Sequence, residues 1–266
     1  MDDPLPVLES PPGVPQPPAM SLAARLVNVF AIPGEVFAGV KASHICVGNW
    51  LVPALLSAVV GVVAAIVILS QPAIQRQMRD LTERQAKVMD QQVKAGKATQ
   101  ADVDRALAFT RAIIAPATLK ILVSMAAALV GVARVFWWAF VLWLLGRLFL
   151  NVRFGYPKAL EVAGLGLMIS VLGTVVTLLL MVNLPRLFAT PNLALALSDF
   201  DASRKSPLLL GAANVFAFWL VGVFSVGLAK LAGVPFLRAA WFVFAAWLIQ
   251  ESFLMLVAGV LGQFAL

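Results

Sequence analysis

The chain has 266 residues, of which 61% are hydrophobic and 12% charged, and its formal net charge is +7. Soluble domains carry about 25% charged residues, so this chain has too little polar surface to coat a soluble core and is predicted to be a polytopic membrane protein. One cysteine, one histidine and the lack of a nucleotide-binding loop or nucleophile elbow lead us to expect no catalytic centre, no metal, no cofactor and no nucleic-acid partner.

The N-terminal segment 1–20 contains seven prolines and three acidic residues. It lacks the basic start and the apolar region of a secretory signal. It has too few apolar residues to fold by itself, so we interpret it as a disordered, proline-rich tail. Such a tail serves as a spacer or as a ligand for an SH3-like or WW-like partner.

Two short amphipathic helices are predicted within residues 21–42. The pair Ile32-Pro33 separates them, because the residue before a proline disfavours the helical conformation, and Pro33 suits the first turn of the second helix. We expect the first helix to turn its apolar residues to one side and Arg25 away from that side. The residues assigned to these membrane-surface helices are Leu22, Arg25, Leu26, Phe30, Pro33 and Phe37. The helices lie either on the membrane surface or against the helix bundle, and the pattern allows both.

Five apolar segments are long enough to cross the hydrocarbon region of a bilayer as helices. They are 50–70, 121–150, 160–182, 208–232 and 239–265. The second has about 30 residues and is predicted to tilt strongly or to emerge from the membrane at one end. The fold class is therefore all-α, a polytopic membrane helix bundle with five transmembrane helices.

A polar stretch, 71–120, separates the first two spans and is predicted to form an extramembrane helical hairpin. Gly96 marks its turn, Thr99 and Asp102 resemble a helix N-terminus, and Pro116 ends the second helix. The first helix carries a seam with a 4-3-4-3 spacing, formed by Ile74, Met78, Leu81, Gln85 and Val88. Val103, Ala106, Leu107 and Ile114 line the second helix. The seam favours a packed pair or a partner-binding arm over a solvated spacer.

Two charged residues interrupt the predicted spans. Arg134 lies 13 residues before Arg147, and Glu251 lies 13 residues after Arg238, at the same edge of the membrane. Both are therefore about 20 Å from that edge, within a core of about 30 Å. Equal depth favours an ion pair between them, because an unpaired charge at this depth costs roughly 3 kcal/mol. Alternatively, Arg134 extends to the far interface and Glu251 is protonated and hydrogen-bonded separately.

The predicted intramembrane polar layer comprises Arg134, Glu251, Asn214, Thr174 and Gln250. A second predicted contact surface is a row of small residues on the first span, Ser57, Gly61 and Ala65. Such a row fits close packing inside the bundle or a homo-oligomer contact.

The distribution of basic residues predicts how the chain is oriented in the membrane. The N-terminus and the segments 151–159 and 233–238 share one side and are rich in basic residues with few acids. The hairpin on the other side contains nine Lys or Arg residues, partly offset by five acidic ones. We expect the N-terminus to be cytoplasmic, because short basic segments tend to stay on that side.

Two stretches of the sequence resemble the Ypt-interacting protein (Yip) membrane family. They are RLVNVFAIPGEVF, Arg25 to Phe37, and NVFAFWLVGVFSVGLAKLAGV, Asn214 to Val234. The chain differs from the family pattern at Ile32, where a serine is common, and at Asn214, where an aspartate is expected. The resemblance implies a five-span Yip-like domain over 21–266 with the hairpin as an insert, as in bacterial members. It also implies a location in the bacterial inner membrane.

Eukaryotic members of this family bind prenylated Rab GTPases, a role that the resemblance does not extend to this chain. We expect a non-enzymatic membrane scaffold or organising factor that binds protein or lipid partners through the N-terminal helices or the hairpin 71–120. The alternative is a small-solute or proton-coupled transporter that uses the Arg134/Glu251 layer.

Overall fold

A computed structural model describes residues 20–96, 99–101, 103–105, 107, 108, 115–184, 191 and 214–264. The regular elements formed by these residues are all helices, so the all-α prediction is confirmed. They are α1 (Leu22–Asn28), α2 (Pro33–Ala42), α3 (Gly48–Ser70), α4 (Pro72–Lys94), α5 (Pro116–Leu148), α6 (Tyr156–Gly166), α7 (Met168–Asn183), α8 (Val215–Ala232) and α9 (Phe236–Phe264).

Five helical segments are long and apolar enough to span a membrane, which confirms the predicted number. They are Gly48–Ser70, Ala117–Leu148, Tyr156–Asn183, Val215–Ala232 and Phe236–Val257. The third consists of α6 and α7, which meet at Leu167 with its backbone still in the helical region. Helix α5 has 33 residues and is therefore about 50 Å long, well beyond the hydrocarbon thickness of about 30 Å.

The N-terminal helices pack on the bundle. Helix α2 begins at Pro33, as predicted, and buries Val36, Phe37 and Val40, chiefly against α8. The expectation that Arg25 points away from the apolar side of α1 is wrong, since only 7% of this residue is exposed. The reason is helical spacing: Arg25 is three residues after Leu22 and four before the buried Val29, so all three share one face.

Small residues allow the spans to approach closely. A Cβ on Gly131 of α5 would lie 3.2 Å from backbone atoms of Ser57 and Ala58 on α3, and one on Gly61 would lie 3.3 Å from the Cβ of Ala127. The predicted small-residue row thus packs α3 against α5 inside the bundle. Helix α6 approaches α3 even more closely, because a Cβ on Gly164 would overlap the backbone of Trp50.

Helix α4 leaves the bundle directly after α3, with Gln71 as the single residue between them. Gly96 follows α4 with a positive φ of 69°, so the predicted turn is present. Ile74 and Val103 are buried but do not belong to the main core cluster of the bundle. Of the predicted hairpin seam, Val88 is exposed, and the side chains of Leu81 and Gln85 lie outside the described residues.

Other predicted features also lie outside the part of the chain that the structure describes. They are the tail 1–19, the hairpin residues Asp102, Ala106 and Ile114, and segment 208–213 at the start of the fourth predicted span.

Candidate functional site: a polar cavity between the spans

A cavity of about 240 Å³ lies where α5, α7, α8 and α9 meet. All five residues of the predicted polar layer line it: Arg134, Glu251, Asn214, Thr174 and Gln250. Ser170 and Thr177 of α7 add two hydroxyls, while Trp138, Leu220 and Trp247 are among its apolar walls. The volume is large enough for several water molecules.

Arg134 does not form the predicted contact ion pair. Among the described residues, no ion pair within 4 Å joins it to Glu251, and its Nη2 lies 3.3 Å from the Ser170 hydroxyl. Arg134 is also exposed at the surface of the bundle. The two charged groups therefore line the same cavity without direct contact, and their attraction acts through space.

The polar link between α5 and α9 runs through neighbouring residues instead. The indole Nε1 of Trp137 donates a hydrogen bond to the Gln250 side-chain oxygen. Glu251, the next residue along α9, has no hydrogen-bond or ion-pair partner in the part of the chain that the structure describes. Its carboxyl group is thus free to interact with a water or a solute in the cavity.

Asn214 has a different local role from the one predicted. We expected it inside the fourth span, but its backbone is extended, and it is the N-cap of α8. Its side-chain oxygen accepts a hydrogen bond from the Phe216 amide at 2.9 Å. Asparagine is among the residues preferred at this position, because it satisfies an amide that the helix leaves unpaired.

A second cavity of about 320 Å³ lies on the other side of Arg134, between α3, α5 and α7. The two cavities share three lining residues, Arg134, Ser170 and Thr174. The Thr174 hydroxyl does not offer its proton to the cavity, since it donates to the Ser170 carbonyl at 2.9 Å. Arg134 is therefore the charged residue that lines both cavities.

The chemistry open to these cavities is limited. Lining groups include a guanidinium, a carboxyl, two amides and hydroxyls, which can hydrogen-bond and balance charge. In the described residues no group of three or more His, Cys, Asp or Glu side chains could hold a metal ion. The arrangement suits the binding of a small polar solute or water better than a covalent reaction.

A second polar cluster, which was not predicted from the sequence, lies at the edge of the membrane beside the C-terminal end of α2. Glu161 of α6 is fully buried and accepts a hydrogen bond from the side-chain amide of Asn49 on α3. Its other oxygen lies 3.0 Å from Lys158 Nζ. The same ammonium donates to the carbonyls of Val40 and Ser43, both at 2.7 Å, so it also caps the end of α2.

Counting residues from the membrane edge, which places Arg134 and Glu251 at one depth, also places the residues of this cluster at one depth. Asn49 comes just before the predicted start of the first span, and Glu161 just after the start of the third. Both spans start on the same side of the membrane, so the two residues share a depth. Lys158 lies three residues before Glu161, the helical spacing at which opposite charges meet.

Comparisons of the chain with protein-family models, with curated proteins and with solved structures find no match. The five apolar helices define the class, an integral membrane protein.

Proposed function

We propose that this integral membrane protein is a non-enzymatic, Yip-like scaffold or membrane-organising factor of the bacterial inner membrane, with its N-terminus in the cytoplasm. It binds protein or lipid partners through its N-terminal helices and the hairpin 71–120. The spans anchor it, and the hairpin and the exposed sides of the N-terminal helices make the contacts.

The observation that carries this proposal is the surface of α4. This 23-residue helix stands outside the spans and is densely charged. Its residues Arg79, Glu83 and Lys87 are exposed, and the bundle core makes no use of them. A charged helix that leaves a bundle without packing on it presents a surface for a partner.

Site-specific photocrosslinking in native membranes tests this role. A photoreactive residue at Lys87 is expected to give a discrete crosslinked protein band. The same residue at Leu129, an exposed apolar position on α5, is expected to give lipid adducts only.

The band at Lys87 should persist after solubilisation, and it should not form when an excess of the purified hairpin-containing protein is present during irradiation. A chain with the hairpin replaced by a short Gly-Ser linker should lose the co-purified partner. The proposal fails if that chain retains the same partners and no band forms at Lys87.

The pair of cavities around Arg134 favours a second candidate, a small-solute or proton-coupled transporter. Glu251 is its most informative residue, because it faces the cavity without a partner among the described residues. The test is flux into liposomes that contain the purified protein. A reproducible flux that Glu251→Gln abolishes, with an unchanged elution profile, would replace the scaffold with the transporter.

A further inference from the structure

A third cavity, of about 920 Å³, lies at the membrane edge where the last turns of α2 and α8 meet the start of α9. Two lysines line it, Lys41 on α2 and Lys230 on α8. The remaining lining residues are small or apolar, among them Ala38, Val226 and Phe236. The cavity therefore combines two cationic groups with an apolar floor.

Its place relative to the bilayer follows from the helices around it. Helix α8 ends at Ala232, and Gly233 turns the chain with a positive φ of 68° towards α9. The first residues of α9 include three exposed apolar side chains, Phe236, Leu237 and Trp241. A tryptophan and exposed apolar residues beside lysines are typical of the boundary between the hydrocarbon and the headgroups.

The two lysine side chains cross between the helices. Lys41 Nζ lies 3.7 Å from the position that a Cβ on Gly233 would occupy, at the end of α8. Lys230 Cε lies 3.7 Å from the corresponding position at Gly34, near the start of α2. Each helix thus directs one cation towards the other helix, so the two charges bracket the cavity.

Neither lysine is used by the protein's own acids. In the described residues, ion pairs within 4 Å are formed by Lys94 and by Lys158, whereas Lys41 and Lys230 are exposed. The carbonyls at the end of α2 are already bonded to Lys158, so Lys41 is not needed as a cap there. The pair of charges is left available to an anion from outside the chain.

The volume and the lining of this cavity indicate which kind of anion it binds. A free phosphate ion would fill only a small part of a cavity of this volume, which is at the upper end of the range for small-molecule sites. A phospholipid headgroup with its glycerol and first methylene groups would occupy both the cationic rim and the apolar floor. Basic pockets between membrane helices bind anionic headgroups in this way.

We propose that Lys41 and Lys230 form a binding site for one anionic glycerophospholipid of the surrounding bilayer. The lipid phosphate lies between the two ammonium groups, and the start of its acyl chains lies against α8 and Phe236. This site rests on the lipid-binding part of the proposed function and specifies it, because Lys41 lies on α2. It does not depend on the hairpin or on a protein partner, so it can fail while that part of the scaffold role holds.

Native mass spectrometry of the full-length protein, purified from nanodiscs with equal amounts of phosphatidylglycerol and phosphatidylethanolamine, tests the proposal. The wild type is expected to retain phosphatidylglycerol preferentially. In the double variant Lys41→Gln/Lys230→Gln this preference should fall about thirtyfold, since each substitution removes one lysine's attraction for the anionic lipid. The matched control, Arg147→Gln/Arg153→Gln, removes two charges from the same edge outside the cavity and should keep the preference.

Thermal unfolding in nanodiscs that contain only one of the two lipids separates the remaining explanations. Lysines in the last turn of a helix can also stabilise it through the helix dipole. That role predicts an equal loss of stability in phosphatidylglycerol and in phosphatidylethanolamine, a result that would overturn the proposal. Equal stabilisation by inorganic phosphate alone, or an unchanged lipid preference in the double variant, would also overturn it. If the double variant does not fold, Lys41→Arg/Lys230→Arg must keep the preference, because it keeps both charges.

Discussion

At the scale of single residues, Lys158 is the charged group of the described bundle with the most polar contacts, and it joins α6 to the end of α2. Its ammonium binds the buried Glu161 carboxylate and two carbonyls at the end of α2. Because Glu161 also accepts from Asn49 of α3, this cluster joins α2, α3 and α6. The charged pair that sequence reasoning singled out, Arg134 and Glu251, makes no such direct contact.

We expect Lys158→Ala to lower the free energy of unfolding by about 3 kcal/mol, since it leaves the buried Glu161 carboxylate without its cation. Adding Glu161→Gln to this variant should restore part of the loss, because the amide is neutral and still accepts from Asn49. Unfolding in mixed micelles measures both effects. The control is Arg153→Ala, an exposed position expected to change stability by less than about 0.5 kcal/mol. A Lys158→Ala loss no larger than the control's would contradict the role assigned to the cluster.

A pair of double-mutant cycles tests the polar cavity. The coupling between the losses from Arg134→Ala and Glu251→Ala should stay below about 0.5 kcal/mol, because these side chains interact only through space across the cavity and form no contact ion pair. The cycle of Trp137→Phe and Gln250→Leu should give a coupling of about 0.6 kcal/mol, the average for hydrogen bonds between membrane helices. A coupling between Arg134 and Glu251 larger than that between Trp137 and Gln250 would restore the predicted ion pair.

At the scale of whole helices, close approach at glycines decides how the spans pack. Helix α6 can lie against α3 only because Gly164 has no side chain, since a Cβ there would stand 2.3 Å from the Cα of Trp50. The atoms in the way belong to the backbone, which cannot move without separating the two helices.

Gly164→Ala is therefore expected to lower the free energy of unfolding of the bundle by about 1–3 kcal/mol, the usual cost of overpacking. Gly222→Ala on α8 is the matched control, because nothing lies within 4 Å of its added methyl group. The control should be neutral or slightly stabilising, by up to about 1 kcal/mol, since alanine favours the helix. Thermal unfolding in one detergent compares the two, and equal melting temperatures would refute the close approach of α3 and α6.

The sequence predicted these helices well and their mutual contacts less well. Apolar runs set the number of spans, and the start of α2 followed from Pro33, because both signals are local. Equal depth correctly predicted that Arg134 and Glu251 line one cavity, but it wrongly predicted a direct contact between them. Depth does not determine how a helix is rotated about its axis. Arg25 was misplaced because its charge was taken to decide its side of α1, whereas its helical spacing puts it on the face of the buried Val29.

At the scale of the whole molecule, Cys46 offers a test of orientation. It is the single cysteine of the chain and lies, partly exposed, between α2 and α3. If the N-terminus is cytoplasmic, a membrane-impermeant maleimide should label it in inverted inner-membrane vesicles and not in intact spheroplasts. In a Cys46→Ser chain with Lys87→Cys on α4, the two results should be exchanged, because α3 crosses the bilayer between the two positions. The opposite labelling of both variants would place the N-terminus outside.

The joint between α3 and α4 has a mechanical consequence. Gln71 alone separates the two helices, and the Gln75 side chain donates to the Leu69 carbonyl at 3.0 Å, which braces the joint. Helix α4 has 23 residues and so acts as a lever about 35 Å long. A change of about 10° in the tilt of α3, of the kind that a thicker or thinner bilayer imposes, would displace the far end of α4 by about 6 Å. The protein thus has the geometry to convert bilayer thickness into the position of its exposed helix.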